Sequence, residues 1–256
     1  MTKKELKKFL EAKAHQYEAE AFIPTDPIQI PHQFSKKEDI EISAFLTSVI
    51  AWGQRKTIIN NANRLVDMMD RAPHDFILNF QEKDLMSFTQ FVHRTFNGDD
   101  CIHFLNSLQI IYREKEGLEN VLAESFQKDQ SEPGSGWAKF KAVFFEPEHL
   151  KRSEKHLPNP LKGSAAKRMN MFLRWMVRSS DSSVDFGIWN KLSPSQLYIP
   201  LDIHTSTVAR KLGLLKRKQD DWKSVVELTE TLRKFDPIDP VKYDFALFGL
   251  GAFEKF

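Results

Sequence analysis

The chain has 256 residues, of which 41% are hydrophobic and 28% are charged, so it can bury a core and its composition excludes a disordered protein. Its single cysteine, Cys101, excludes an internal disulfide and any iron–sulfur or zinc site built from several cysteines. No stretch reaches the roughly 18 apolar residues of a membrane span, and the charged N-terminus lacks the apolar segment of a signal peptide. We therefore expect a cytoplasmic protein without a membrane partner.

Apolar residues recur at helical spacing through most of the chain, and no alternation typical of strands appears. The sequence WGQRK at 52–56 separates two predicted helices. Pro73 predicts the start of a further helix, and Asp99 or Asp100 is the expected N-cap of the one that follows. We predict an all-α protein that forms a single helical unit over residues 1–256, with interleaved lobes.

Basic residues concentrate in the second half of the chain. Residues 151–218 contain 14 Lys and Arg but only 4 Asp and Glu, a net charge of +10, whereas the remainder carries −8. Such asymmetry is typical of a surface that binds a polyanion. Two alternatives stay open: the basic side chains only solvate helix surfaces, or they meet an acidic protein partner.

Two segments of this basic region carry candidate chemistry. The sequence LKGSAAKR at 161–168 places small residues in a tight turn before a helix, where backbone amides can point at a phosphate. The sequence DIHTSTVARKLGL at 202–214 predicts a helix with Asp202 as its N-cap and Gly213 at its C-terminal end. A turn between helices needs small residues for packing alone, and capping is the commoner role of such an aspartate, so both structural interpretations remain open.

Lys167 is the next-to-last residue of the first segment. A lysine amine is a nucleophile only when part of its population is neutral, and burial or neighbouring cations such as Lys162 and Arg168 favour the neutral form. Asp202 would serve as a base or stabilise a cationic transition state. In the alternative interpretation Lys167 is a solvated surface lysine.

The two segments resemble those of the helix-hairpin-helix DNA glycosylase superfamily. The first is similar to the hairpin pattern Leu-Pro-Gly-x-Gly-x-Lys-x-Ala-Asn at Leu161, Gly163, Lys167 and Asn170. The second resembles the segment Val-Asp-Thr-His-x-x-Arg-Val-x-x-Arg-Leu-Gly that supplies the catalytic aspartate, although Thr207 stands where an arginine is usual. The whole chain also looks like a bacterial family of unknown function within that superfamily.

The resemblance implies a two-lobed helical fold with a helix-hairpin-helix element, its hairpin and catalytic segment at 155–215, and no metal or cofactor. It implies a DNA repair glycosylase, bifunctional with AP lyase activity, that excises an oxidised purine from duplex DNA. Lys167 would form a Schiff base with the sugar, and Asp202 would assist. The residues expected to contact DNA are Lys162, Gly163, Ser164, Ala165, Arg168, Gln54 and Arg55.

Aromatic side chains near these segments are candidates for a base pocket, and core packing is the alternative for each of them. They are Trp52, Phe172, Trp175 and Trp189. Asp185 is a second candidate acid, with a turn role as its alternative. The aspartates around DPIDP resemble a metal-binding set only superficially. The competing hypothesis for the whole chain is a monomeric, non-catalytic DNA- or RNA-binding protein that keeps the glycosylase scaffold.

Overall fold

A computed structural model of the chain describes residues 1–127, 132–179 and 183–256. Within these ranges the secondary structure is helical, without a strand, which confirms the all-α prediction. The α-helices are α1 (Lys3–Tyr17), α2 (Lys37–Ile50), α3 (Arg55–Asp67), α4 (Pro73–Asn79), α5 (Gly98–Glu114), α6 (Leu118–Gln127), α7 (Ser135–Phe144), α8 (Lys167–Val177), α9 (Ile203–Lys211), α10 (Trp222–Arg233) and α11 (Tyr243–Ala252). A search of the same residues finds no helix with the length and apolar character needed to cross a membrane.

The chain folds into two compact units. The first, here called the terminal unit, combines Met1–Pro24 with Pro160–Phe256 and so contains α1 and α8 to α11. The second, the inserted unit, comprises Thr25–Asn159 and contains α2 to α7.

The terminal unit is organised around the apolar helix α11, which packs against α1 and α9. A capping box begins α1, because the side chain of Thr2 accepts a hydrogen bond from the Glu5 amide and the Glu5 carboxylate accepts one from the Thr2 amide. Gly249 allows α1 to approach α11, since a Cβ at this position would lie 2.1 Å from the ring of Tyr17.

The ends of α9 match their prediction. Asp202 is the N-cap, and Gly213 follows the last turn with φ +71°, in the left-handed region that ends many helices. Pro73 is likewise the first residue of α4, as predicted.

The core of the inserted unit is rich in phenylalanine. Residues 40–50 of α2 are buried without exception, and the Phe45 ring lies 5.4 to 6.3 Å from the rings of Phe104, Phe140 and Phe144. Each buried phenylalanine stabilises the fold by about 1.5 to 3 kcal/mol. Burial of these phenylalanine rings is therefore a large favourable contribution to the folding of this unit.

The predicted N-cap of α5 is wrong. Asn97 caps the helix, and Asp100 occupies the third helical position, where its carboxylate accepts a hydrogen bond from the Asn97 amide at 3.0 Å. The separator predicted between α2 and α3 is also shorter than expected, because Arg55 and Lys56 already belong to α3.

Candidate functional site

The segment before α8 forms an exposed turn. A 3-10 turn at Pro160–Lys162 is closed by the Gly163 amide, which donates to the Pro160 carbonyl at 2.8 Å. Gly163 has φ +90° and Ala166 has φ +49°, both in the left-handed region. A Cβ added to Gly163 would meet no atom within 4 Å, so glycine is favoured here by backbone conformation and not by lack of space.

The predicted DNA contacts of this turn differ in exposure. Lys162, Gly163 and Ser164 are exposed, whereas Ala165 is half-buried. Arg168, in the first turn of α8, is half-buried, and burial lowers the pKa of its guanidinium to about 10. It is still cationic at neutral pH. The exposed part of the turn is accessible to a phosphate group.

The helix-hairpin-helix element is not confirmed. The turn is followed by the α-helix α8, but the residues that precede it form 3-10 segments at Lys151–His156 and Pro160–Lys162. Another contact holds the turn in place: the Gly163 carbonyl accepts a hydrogen bond from the Trp222 amide at 3.1 Å, which attaches the turn to the start of α10.

Lys167 is the first residue of α8 and is half-buried. Its Nζ lies 3.4 Å from the sulfur of Met171, one turn further along the helix. Arg174 lies two turns after Lys167 on the same face of α8, and Arg178 is the C-cap residue that follows the helix. Lys167 and Arg174 are thus two cationic groups on one face of α8.

Asp202 performs the capping role that its sequence position predicts. Its Oδ1 accepts hydrogen bonds from the amides of His204 at 2.9 Å and Thr205 at 3.0 Å. Both bonds use the same oxygen, and the residue is half-exposed. The carboxylate is therefore fixed in direction while its second oxygen is not used by the cap.

Asp244 contacts both α8, which Lys167 begins, and α9, which Asp202 caps. It is buried near the start of α11, where its carboxylate accepts hydrogen bonds from Arg174 at 2.5 Å and from the Thr205 hydroxyl at 3.4 Å. Burial is the main cause that raises the pKa of Asp244, to about 6. Arg174 opposes the rise, the charge of Asp202 adds to it, and the charge of Lys167 opposes it. The charges of Lys167 and Asp202 are thus among those that shift the pKa of this buried carboxyl group.

Arg174 and Arg178 also bind other acidic side chains of the terminal unit. Arg174 donates to Asp185 at 3.3 Å, and Arg178 donates to Asp185 at 3.1 Å and to Asp239 at 2.7 Å. Arg178 also binds both carboxylate oxygens of Glu18, the second at 2.9 Å. Together with Asp244 these residues form what we call the buried ion cluster.

Acidic groups outnumber cationic groups in the buried ion cluster. Four carboxyl groups face two guanidinium groups, and the side chains of Arg174 and Arg178 are only 5% and 6% exposed. Burial raises the pKa of Asp185 and of Asp239, although the arginines oppose the change. Across the described parts of the chain, no set of three or more His, Cys, Asp or Glu side chains is placed to hold a metal ion.

Three of the four candidate pocket residues lie in the core of the terminal unit. Phe172, Trp175 and Trp189 are 0%, 0% and 2% exposed. The rings of Phe172 and Trp189 meet edge to face at 5.4 Å, and the Trp189 amide donates to the Met176 carbonyl at 3.0 Å. These side chains hold residues 186–189 against α8.

Trp52, Gln54 and Arg55 belong to the inserted unit. Gln54 and Arg55 are exposed at the start of α3, after Gly53, whose φ is +105°. The guanidinium carbon of Arg94 lies 4.9 Å from the centre of the Trp52 ring, a cation–π arrangement. Arg94 itself has φ +56°. The inserted unit thus carries a surface of exposed basic side chains beside the half-buried Trp52, formed by residues 52–56 and Arg94.

The sequence did not indicate Asp244, Arg174 or Arg94 as site residues. In the sequence Asp244 is one of the aspartates near DPIDP, and it lies 70 residues from its partner Arg174. Arg94 lies about forty residues from Trp52. The only sequence signal for Arg174 is its seven-residue spacing from Lys167, which places the two on one helical face.

A family model described as "Protein of unknown function (DUF2400)" matches residues 26–253. The chain belongs to this family. The match includes Lys167, Asp202 and Asp244, so the whole candidate site except for Glu18 lies within the region typical of the family. It does not link the family to the helix-hairpin-helix glycosylases. No curated protein and no solved structure matches the chain.

Proposed function

We propose that the protein is a DNA glycosylase with AP lyase activity, in which Lys167 is the nucleophile and Asp202 its assisting carboxylate. One observation carries the proposal. The carboxyl group of Asp244 accepts hydrogen bonds from Arg174 of α8, the helix that Lys167 begins, and from Thr205 of α9, the helix that Asp202 caps. A lysine amine and a fixed carboxylate are the groups that Schiff-base chemistry at a sugar requires.

The proposed reaction begins when the neutral Nζ of Lys167 attacks C1′ of the damaged nucleotide. The bond between C1′ and the base breaks, and the base leaves with a proton. The attacking nitrogen loses a proton, the sugar ring opens as O4′ gains one, and an imine joins Lys167 to C1′. Loss of a proton from C2′ then expels the 3′ phosphate. Asp202 accepts the lysine proton and stabilises positive charge on the sugar.

Binding to DNA would use the exposed turn at residues 162–164. The Ser164 amide and the Lys162 ammonium would contact phosphates, which gives affinity without base specificity. The surface formed by residues 52–56 and Arg94 offers a second set of cationic and aromatic contacts, on the inserted unit. The proposed substrate is duplex DNA that carries an oxidised purine.

The second candidate function is a DNA- or RNA-binding protein without catalysis. Asp202 favours it, because two amide bonds to Oδ1 already give this residue a structural role. In that case Lys167 is a phosphate contact. The two functions share the basic surface and differ only in whether a covalent intermediate forms.

Borohydride trapping distinguishes these functions. The full-length protein is incubated with duplexes that carry an abasic site or 8-oxoguanine, borohydride reduces any imine, and a denaturing gel detects the adduct. We expect an adduct with the wild type and with Lys162→Gln, none with Lys167→Gln, and at least a tenfold lower yield with Asp202→Asn. Undiminished trapping by Lys167→Gln would exclude this nucleophile, and duplex binding without any adduct would support the non-catalytic function.

A further inference from the structure

The inserted unit is acidic overall, yet one part of its chain carries only cationic charges. Residues 25–159 contain 16 Lys and Arg against 20 Asp and Glu, a net charge of −4. Residues 52–66 and 85–98 contain four of these cations and no acidic residue, which leaves 12 against 20, or −8, for the rest of the unit. The four cations are Arg55, Lys56, Arg64 and Arg94, and all are exposed. Such a separation of charge is typical of a surface that binds a polyanion.

The segment at residues 91–94 lies along α3 and brings the two acid-free stretches together. At its beginning, the guanidinium carbon of Arg64 lies 5.8 Å from the centre of the Phe91 ring. One turn closer to the start of α3, the side-chain amide of Asn61 donates to Nδ1 of His93 at 2.8 Å. The exposed positions 56, 60 and 64 follow at four-residue steps along the helix beside this segment. We call the resulting surface the α3 face, which consists of Lys56, Asn60, Arg64 and Arg94.

His93 fixes the arrangement of the α3 face from below. It is only 1% exposed, and while its Nδ1 accepts from Asn61, its Nε2 donates to the Trp52 carbonyl at 3.0 Å. Its backbone also exchanges hydrogen bonds with that of Phe96 at 2.7 and 3.0 Å, which closes a tight turn that contains Arg94. Arg94 therefore has a defined position beside the start of α3.

Aromatic rings and not carboxylates hold the two arginines of the α3 face. The Arg94 guanidinium lies over the Trp52 ring, and a Cβ added to Gly53 would lie 2.9 Å from Nη1 of Arg94. Within the residues that the structure describes, neither Arg64 nor Arg94 forms an ion pair. A guanidinium that lies on a ring keeps the N–H groups at its edge available, and these groups match the oxygens of a phosphate.

We infer that the α3 face binds the phosphate backbone of duplex DNA, an inference that rests on the DNA-binding part of the proposed function and extends it beyond residues 52–56. From its start to Arg64, α3 rises by about 15 Å. One strand of a duplex presents about four phosphates over that length. Lys56 and Arg64 would contact phosphates near the two ends of the row, and the amide of Asn60 would donate to an oxygen between them.

The α3 face fits a duplex better than a single strand. Single-strand surfaces combine cations with aromatic rings on which successive bases stack. Phe91, the ring beneath Arg64, is completely buried and offers no surface to a base. What the face exposes along α3 is a row of donors on a rigid helix, which suits the regular spacing of phosphates in a duplex.

The salt dependence of duplex affinity tests the inference. The full-length protein and the double variant Lys56→Gln, Arg64→Gln bind a fluorescent, undamaged duplex at several salt concentrations, and anisotropy measures Kd. The double variant should bind about tenfold more weakly, and its slope of log Kd against log salt concentration should fall by about two, because two phosphate contacts are lost. Both residues are exposed, so folding should be preserved, and circular dichroism checks it.

The matched control removes the same charge elsewhere on the inserted unit. In the double variant Lys83→Gln, Arg71→Gln, the lysine is exposed between two acidic residues and the arginine is paired with Asp67. Its salt slope should equal that of the wild type. An equal change of slope in both double variants, or an unchanged slope in the first, would overturn the inference. Competition by single-stranded DNA or polyglutamate as strong as that by duplex would overturn it as well.

Trapping on an abasic duplex separates this inference from the proposed function. If the wild type forms an adduct and the Lys56→Gln, Arg64→Gln variant binds and traps like the wild type at every salt concentration, the inference is overturned and the proposed function stands. If the slope falls as expected but the wild type forms no adduct, the α3 face stands and the proposed catalysis is overturned. A wild type that binds no duplex would overturn both.

Discussion

Asp100 in the inserted unit and Asp244 in the terminal unit are both buried aspartates, yet they have opposite electrostatic environments. Asp100 accepts hydrogen bonds from Ser153 at 2.6 Å, Arg152 at 2.8 Å and His156 at 3.1 Å. Asp244 shares Arg174 with Asp185 and has a second acid, Asp202, nearby. Asp100 thus has several donors of its own, whereas Asp244 shares its arginine donor with Asp185.

The difference appears in the pKa of each group. Burial alone would raise the pKa of Asp100, but hydrogen bonds from Ser153 and the Asn97 amide, with the charges of His156 and Arg152, hold it below its usual value. At Asp244 the effect of burial is larger than that of the neighbouring cations, and the pKa rises to about 6. Asp100 is therefore ionised at any pH near neutral and connects the 3-10 segment Lys151–His156 to α5. Asp244 is the aspartate whose charge responds to its surroundings, and it lies beside the candidate site.

The largest expected effect concerns Arg174. Arg174→Leu leaves Asp185 and Asp244 buried without their shared cation, and we expect the free energy of unfolding to fall by about 3 to 5 kcal/mol. Urea denaturation at pH 7.5 measures it. Adding Asp244→Asn should restore part of the loss, because one stranded charge is removed. A loss below about 1 kcal/mol for Arg174→Leu would mean that the buried ion cluster is not held as described.

The pH dependence of stability should differ between the two aspartates. The folded pKa of Asp244, about 6, lies above the unfolded value near 4, so this group destabilises the native state increasingly from pH 4 to 6 and by a constant amount above. Relative to the wild type, Asp244→Asn should gain up to about 3 kcal/mol of stability as pH rises from 4 to 7.

Asp100 should affect the pH dependence of stability in the opposite direction. Its lowered pKa contributes stability above the unfolded pKa, which is lost as the pH falls through the folded pKa. Ser153→Ala should therefore reduce stability at pH 7 more than at pH 3. Denaturation curves at several pH values measure both differences, and slopes of the same sign for the two sites would refute the contrast.

A smaller effect is expected at the turn before α8. Gly163→Leu places a side chain at φ +90° on the exposed turn and should weaken binding to every DNA duplex about tenfold, independent of sequence. Gly213→Leu is the matched control, since Gly213 also has a positive φ and open space around its Cα. Fluorescence anisotropy measures the affinities. Equal losses in both variants would indicate strain and not a lost phosphate contact.

The smallest effect is expected on the inserted unit. Arg94→Gln should weaken duplex binding about threefold and reduce the slope of log Kd against log salt concentration by about one. Arg71→Gln removes the same charge from another exposed arginine of the same unit, one that is paired with Asp67, and should leave the slope unchanged. If both variants change the slope equally, the surface at residues 52–56 and Arg94 is not a specific contact.

Local features of the fold could be predicted from the sequence, whereas the contacts of the candidate site could not. The N-cap Asp202, Gly213 and Pro73 depend on a few neighbouring residues, and their predictions are confirmed. Asp99 or Asp100 was expected to cap α5, but Asn97, which precedes them and caps equally well, is the N-cap. The tertiary partners of Asp100, Ser153 and His156, lie more than fifty residues away. No local pattern records such contacts.

The same reason explains why the buried ion cluster was missed. Asp185, Asp239 and Asp244 each occur in a stretch that is typical of turns or helix starts, and only packing against Arg174 and Arg178 shows that they form one cluster. Trp175 and Trp189 were candidates for a pocket, and both are buried in the core. An aromatic residue near a candidate site looks the same in the sequence whether it lines a pocket or fills the core.

The central claim is that Lys167 forms the covalent bond to DNA, and the attachment site tests it most directly. The wild-type adduct with an abasic duplex is reduced with borohydride, digested with protease and nuclease, and mapped by mass spectrometry. The proposed mechanism predicts a sugar remnant on the Nζ of Lys167. A remnant on Lys162, on the N-terminal amine or on any other lysine would contradict it.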